Sequence, residues 1–126
     1  MLSLWGGASL DRELRRGTLG IAVLIVLLRG STYGYDLANT LRRESGGIFD
    51  VKEGTLYPLL YRMEDEGWLV GGWKIPDRGK PRRYYRITEK GRHQAGEQLA
   101  SWRELNAVME LMVAGSEGDA RGAESS

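Results

Sequence analysis

The segment Lys52–Arg92, KEGTLYPLLYRMEDEGWLVGGWKIPDRGKPRRYYRITEKGR, leaves the chain the fewest options. Leu56, Leu59, Leu60 and Met63 recur at i, i+3, i+4 and i+7, which at about 100° per residue makes one apolar stripe on a helix. Gly54, Tyr57, Pro58, Tyr61, Arg62 and Asp65 fall on the opposite side, a polar and aromatic face suited to a polar partner. Gly67 lacks the Cβ that would oppose a left-handed helix end. Trp68 to Ile75 then reads as an aromatic-rich strand, Pro76, Asp77, Gly79 and Pro81 break it, and Arg82 to Ile87 resumes a β-branched and aromatic run. The pattern predicts a helix, a hairpin with a long exposed loop, and the start of a further helix.

Charge is concentrated in the same stretch. From Lys74 to Arg92 the cations are Lys74, Arg78, Lys80, Arg82, Arg83, Arg86, Lys90 and Arg92, and the carboxylates are only Asp77 and Glu89. The whole chain carries 18 Lys and Arg against 17 Asp and Glu, a formal charge of +1, so the remainder is acidic and the global balance conceals the basic hairpin. A basic loop beside a helix with a polar face matches nucleic-acid binding. Phosphates need cations that place the protein, and base edges need side chains on an inserted element.

A chain of 126 residues supports one domain with a modest core, and domains of this size often gain stability by self-association. With no cysteine there is neither a disulfide framework nor a thiolate metal site, and His93, the only histidine, cannot complete a ligand set alone. No metal or cofactor is implied. The absence of a cleavable signal pattern predicts a cytoplasmic protein.

In chain order, 1–9 reads as a flexible arm, and a helix begins near Leu10 and Asp11 and continues to Gly30. Its run Leu19 to Leu28 is apolar nearly all round, yet far short of the about 20 residues a membrane span needs, so a helix buried on most sides is expected. Ser31 and Thr32 are cap candidates for a second helix over Tyr33 to Glu44, with Tyr35, Leu37, Ala38 and Leu41 available for the core. Ser45, Gly46 and Gly47 close it. Asp50-Val51-Lys52-Glu53 resembles a capping box, although a start at Lys52 is equally open, and Pro58 requires the third helix to begin only shortly before it. Of Tyr84 and Tyr85, strand alternation puts one in the core and one on the surface. After Thr88, another cap candidate, Ala95, Leu99, Trp102, Leu105, Met109 and Met112 recur at spacings of three and four, a stripe suited to helix pairing. The Gly-, Ser-, Ala- and acid-rich segment 114–126 is expected to be a disordered tail.

The order helix, helix, turn, helix, hairpin, helix is that of a winged helix-turn-helix, mainly α with a small β-hairpin, whose third helix enters the major groove. Tyr33-Gly34-Tyr35, Glu53-Gly54-Thr55-Leu56-Tyr57-Pro58-Leu59-Leu60, Arg62-Met63-Glu64, Glu66-Gly67 and Arg83-Tyr84-Tyr85-Arg86-Ile87-Thr88-Glu89-Lys90-Gly91 stand in the order and spacing of a known family. On these positions, which cover roughly Leu14 to Met112, the chain resembles the PadR family of bacterial transcriptional regulators.

That resemblance implies a homodimeric repressor of operator DNA, with a winged helix-turn-helix over 10–88 and a long C-terminal dimerisation helix over 89–113, as in the small members of the family. Carried over residue by residue, it puts Thr55, Tyr57, Pro58 and Arg62 of helix 52–66 in the major groove and Tyr35 and Lys52 near backbone phosphates. The hairpin wing 74–83 would lie on the backbone through Arg78, Lys80, Arg82 and Arg83. The acidic run Glu64, Asp65 and Glu66 would have to point away from the phosphates. The dimer interface is expected at Leu99, Trp102, Leu105, Met109 and Met112, with Leu10 and Leu14 of the first helix. Trp102 falls where some small relatives stack a planar apolar effector; as a bland alternative it is an interface anchor, the common role of large aromatics. A protein-interaction adaptor with a basic hairpin is the second function class. Catalysis lacks a nucleophile with a base, a phosphate-cradling loop or a metal spacing, so no enzyme is expected.

Overall fold

The computed structural model describes residues 12–75 and 77–125, with side chains through Glu117. The arm expected at 1–9, and Leu10, lie outside the described residues. The elements run α1 (Arg12–Leu28), β1 (Thr32–Tyr33), α2 (Gly34–Glu44), α3 (Glu53–Asp65), β2 (Leu69–Lys74), β3 (Arg82–Ile87) and α4 (Glu89–Ser125). The backbone divides into two units, Met1–Ala95 and Gly96–Ser126.

The first unit holds the core. Leu19, Val23, Leu24 and Leu27 of α1 are buried, and its other apolar side chains from Gly20 to Leu28 are half-covered, as a run apolar on every side requires. Leu37 and Leu41 of α2, Leu56, Leu60 and Met63 of α3, Leu69, Tyr85 and Ile87 of the sheet, and Ala95 complete the cluster. Each large side chain here contributes about 1.5–3 kcal/mol by leaving water. Leu59, the remaining member of the α3 stripe, packs on the rim.

The sheet has three antiparallel strands in the order β1-β3-β2. The hairpin register runs from Leu69 opposite Ile87 to Lys74 opposite Arg82. β1, in which Thr32 pairs with Tyr85 and Tyr33 with Tyr84, is an additional strand not among the expected elements. Thr32 is therefore a strand residue rather than a cap. The residue at the α2 N-cap is Tyr33, and the one at the α3 N-cap is Lys52; neither makes a side-chain cap bond, so the box expected at Asp50 does not form. Tyr35 was expected as available to the core, but it is 61% exposed. Tyr85 is fully buried and Tyr84 half-buried, as alternation requires. Burial pushes the Tyr85 hydroxyl up to about 12, because the phenolate would lose its hydration.

The turns follow from local chemistry. Gly67, at φ 80°, closes α3 while the Trp68 amide donates to the Met63 carbonyl and the Gly67 amide to Glu64, satisfying the last turn. Thr88 opens α4: its hydroxyl donates to the Gly67 carbonyl at 2.7 Å and accepts from the Gly91 amide at 2.9 Å.

The helical backbone of α4 runs on to Ser125, through part of the segment expected as a tail. No helix among the described residues is long and apolar enough to cross a membrane, and none of them form a metal-binding cluster.

Gly91 is held to glycine by space. A Cβ there would run into the Trp68 carbonyl oxygen and come within 2.7 Å of Ile87 Cγ1. Gly91→Ala is therefore expected to cost about 1–3 kcal/mol by overpacking. Gly96→Ala, whose Cβ would meet nothing within 4 Å, is expected to add up to about 1 kcal/mol. Urea unfolding midpoints check both, and equal midpoints for Gly91→Ala and the parent would show that the junction yields.

Candidate nucleic-acid interface

The outer face of α3 carries Thr55, Pro58, Tyr61 and Arg62, all exposed. Lys52, at its N-cap, is exposed too. Pro58 sits in the helix interior, five residues after the start, where it forfeits the bond to the Gly54 carbonyl.

Tyr57 differs from its neighbours. It is half-buried, and its ring lies against α2 at Gly34, where a Cβ would sit 2.6 Å from the hydroxyl. It also stands 6.3 Å from Tyr61 and 6.5 Å from Tyr85, between ring centroids. Burial, and then the carboxylate of Glu53, raise its hydroxyl pKa. Tyr57 thus holds α3 to α2 and the sheet more than it faces outward, which explains why a bare Gly34 stands between two tyrosines.

The hairpin supplies the cations. Arg78, Lys80 and Arg82 are exposed, and among the described residues none of the three is in an ion pair. Lys74 Nζ lies 3.8 Å from the centre of the Tyr84 ring, and Tyr84 meets Tyr33 edge to face at 5.0 Å. Arg82 approaches Tyr35 at 6.0 Å. These contacts spread positive charge over an aromatic surface instead of neutralising it.

Arg83 does something else. Its Nη2 donates to both oxygens of Glu64, at 2.8 and 3.1 Å, with only about a fifth of either side chain exposed (19% and 21%). Its guanidinium also stands 5.6 Å from the Trp73 ring and 5.7 Å from Tyr85. Expected as a wing cation for phosphate, Arg83 is instead drawn inward, because it shares the strand face of buried Tyr85. Glu64 is accordingly turned from the outer face of α3, while Asp65 and Glu66 remain exposed.

Between α2, α3 and the hairpin lies an open groove of about 390 Å³, lined by Tyr33, Tyr35, Glu53, Tyr57, Tyr61, Trp73, Pro81, Arg82 and Arg83. Tyr33 and Trp73 are groove residues that were not among the expected site positions. Trp73 is 68% exposed, and an exposed tryptophan on a polar hairpin was the available signal.

The model of the transcriptional regulator PadR-like family matches residues 23–97. The chain belongs to the PadR-like family. A transcriptional regulator of Mycobacterium tuberculosis is 34% identical over 94 residues, 75% of this chain and 84% of that one. The crystal structure of a PadR family regulator from Eggerthella lenta superposes with a TM-score of 0.69 at 42% identity, covering 79% of this chain and 86% of that one. The structure of Bacillus subtilis PadR in complex with operator DNA superposes with a TM-score of 0.59 at 27% identity, over 65% of this chain and 46% of that one. The winged fold and the long C-terminal helix are those of this PadR-like family, whose members are regulators of transcription and not enzymes.

Breaking the Glu64–Arg83 pair isolates its worth. Glu64→Ala is expected to cost about 1–3 kcal/mol, since it leaves a half-buried guanidinium without its charged acceptor. The double variant with Arg83→Ala is expected to cost less than the sum of the single losses. A double-mutant cycle in urea measures the coupling, and additive losses would mean the two charges do not stabilise the fold through each other.

Proposed function

We infer that the protein is a repressor that binds operator DNA as a homodimer, with α3 in the major groove and the hairpin loop on the adjoining phosphates. The observation that carries this is the pairing of one exposed helix face, Thr55, Pro58 and Arg62, with three exposed cations, Arg78, Lys80 and Arg82, in the same unit. Such a surface divides the work as DNA recognition demands: helix side chains for base edges, flanking cations for the backbone. Lys52 and Tyr35 extend the phosphate-facing set, Tyr57 orients α3 from within, and Arg83 buttresses the wing without touching DNA. The Bacillus subtilis relative, a negative regulator solved with its operator, supports the same reading. A protein of this kind works beside the chromosome, in the cytoplasm.

The dimer rests on α4. Trp102, Leu105, Met109 and Met112 are 45–66% exposed in the single chain, and Val108, Leu111 and Val113 widen the apolar surface beyond a narrow two-helix seam. Leu99 is half-buried, and Leu14 on α1 is 54% exposed. Covering these side chains would gain about 1.5–3 kcal/mol for each large one fully buried. Partner α4 helices are the cover that symmetry supplies. Trp102 anchors that interface, and stacking of a planar apolar effector between two copies of it is the finer reading.

Three experiments test this. In salt titrations of binding to the upstream DNA of its own gene, Lys80→Ala with Arg82→Ala is expected to lower the log–log slope by about 0.9 for each phosphate no longer neutralised. Arg83→Ala should instead lower stability and leave the slope in place. An unchanged slope in the first variant removes the wing from the DNA. For the dimer, truncation before Leu99 is expected to give monomers in sedimentation with most affinity gone, and a truncated chain that stays dimeric refutes the α4 interface. A flat polycyclic dye that quenches tryptophan fluorescence in the parent but not in Trp102→Ala would mark the effector role.

A further inference from the structure

We propose that a cleft between the amino-terminal ends of α1 and α3 is a second seat for DNA phosphates, on the side of α3 away from the wing. It rests on the operator-binding reading above. The cleft measures about 330 Å³ and draws Arg12, Arg15 and Arg16 from the first five residues of α1 and Lys52 from the N-cap of α3. Asp50 is the one carboxylate in its lining, and Leu19 and Phe49 contribute apolar surface. Arg12, Arg16 and Lys52 are exposed; Arg15 is half-buried, with its Nε shielded from water and unpartnered.

Two features make this more than a solvated basic patch. The first is charge: the lining sets Arg12, Arg15, Arg16 and Lys52 against the single carboxylate Asp50, and the first-turn carboxylates Glu13 of α1 and Glu53 of α3 are not part of it.

The second feature is placement. Glu53, Tyr57 and Tyr61 line the groove shared with the wing, whereas Thr55 lines this cleft. At about 100° per residue Thr55 lies roughly 160° round the helix from Tyr57. The two concavities therefore flank α3, as the two phosphate backbones of a major groove flank an inserted helix. Thr55 belongs both to this cleft and to the face assigned to base edges, so a phosphate seated here adjoins the bases that α3 would read. The same chemistry suits a free phosphate compound, and the measurements separate the two sources.

The full-length Arg12→Gln/Arg16→Gln variant is compared with the parent on a random-sequence duplex across a salt series. Its log–log slope is expected to fall by about 0.9 for each phosphate no longer neutralised, about 1.8 together. Arg12→Lys/Arg16→Lys, which keeps the charges, is expected to restore it, and Arg12→Gln alone should show about half the effect even if the double variant folds poorly. An unchanged slope in the Gln variants, while Lys80→Ala/Arg82→Ala lowers it, overturns the cleft and leaves the operator reading standing. A parent that shows no salt-dependent binding to any duplex overturns both. Pyrophosphate provides the other arm. If it raises the melting temperature of the parent but not of Arg12→Gln/Arg16→Gln, and those substitutions leave the DNA slope unchanged, the cleft serves a free phosphate compound and the proposal fails.

Discussion

One charged contact holds the working surface of the first unit together: the carboxylate of Glu64 on α3 against the guanidinium of Arg83 on β3. Beyond the main-chain bond from Trp68 to Met63 where the helix ends, α3 otherwise meets the hairpin through apolar and aromatic packing, which is non-directional and tolerates sliding. The pair adds an angle and a register. Both side chains give up most of their water to make it, so its net contribution to stability is smaller than its geometry suggests, while removal of either partner leaves a stranded charge. Trp73, within 5.6 Å of the same guanidinium, and buried Tyr85 complete the joint. The hairpin is thereby held beside α3 near the loop end of its ladder, one pair before Lys74 opposite Arg82, and the loop beyond keeps its exposed cations.

Much of this was legible from spacing. The α3 stripe, the buried α1 run, the strand limits and the Thr88 start of α4 all follow from periodicity and from breakers at defined places, where backbone chemistry alone decides. β1 could not be read that way, because two residues carry no period and Thr32 and Tyr33 pair only through their register with β3. Arg83 was within reach. The alternation that separates Tyr84 from Tyr85 also puts Arg83 on the inward face, two residues before Tyr85, but the density of positive charge suggested a solvated cation. Tyr57 lies deeper than a polar face suggests for another reason: the pattern is silent about the bare Gly34 on α2 that receives its ring.

Among the described residues, the buried apolar side chains all lie at or before Ala95. The winged unit therefore closes its core with the first turns of α4. The exposed apolar surface of the second unit is thus available for another purpose, and its breadth is what a shared multi-helix interface would need.

Along its exposed length α4 is acidic. Between Gly96 and Glu117 stand four carboxylates, Glu97, Glu104, Glu110 and Glu117, against the single cation Arg103. Two such helices brought side by side would repel through solvent at low ionic strength, and added salt, with a screening length of about 8 Å at physiological concentration, would relieve that repulsion. Subunit association would then strengthen over the same range in which phosphate contacts weaken. Occupancy of DNA would pass through a maximum at intermediate ionic strength, limited below it by assembly and above it by the shrinking gain from counterion release.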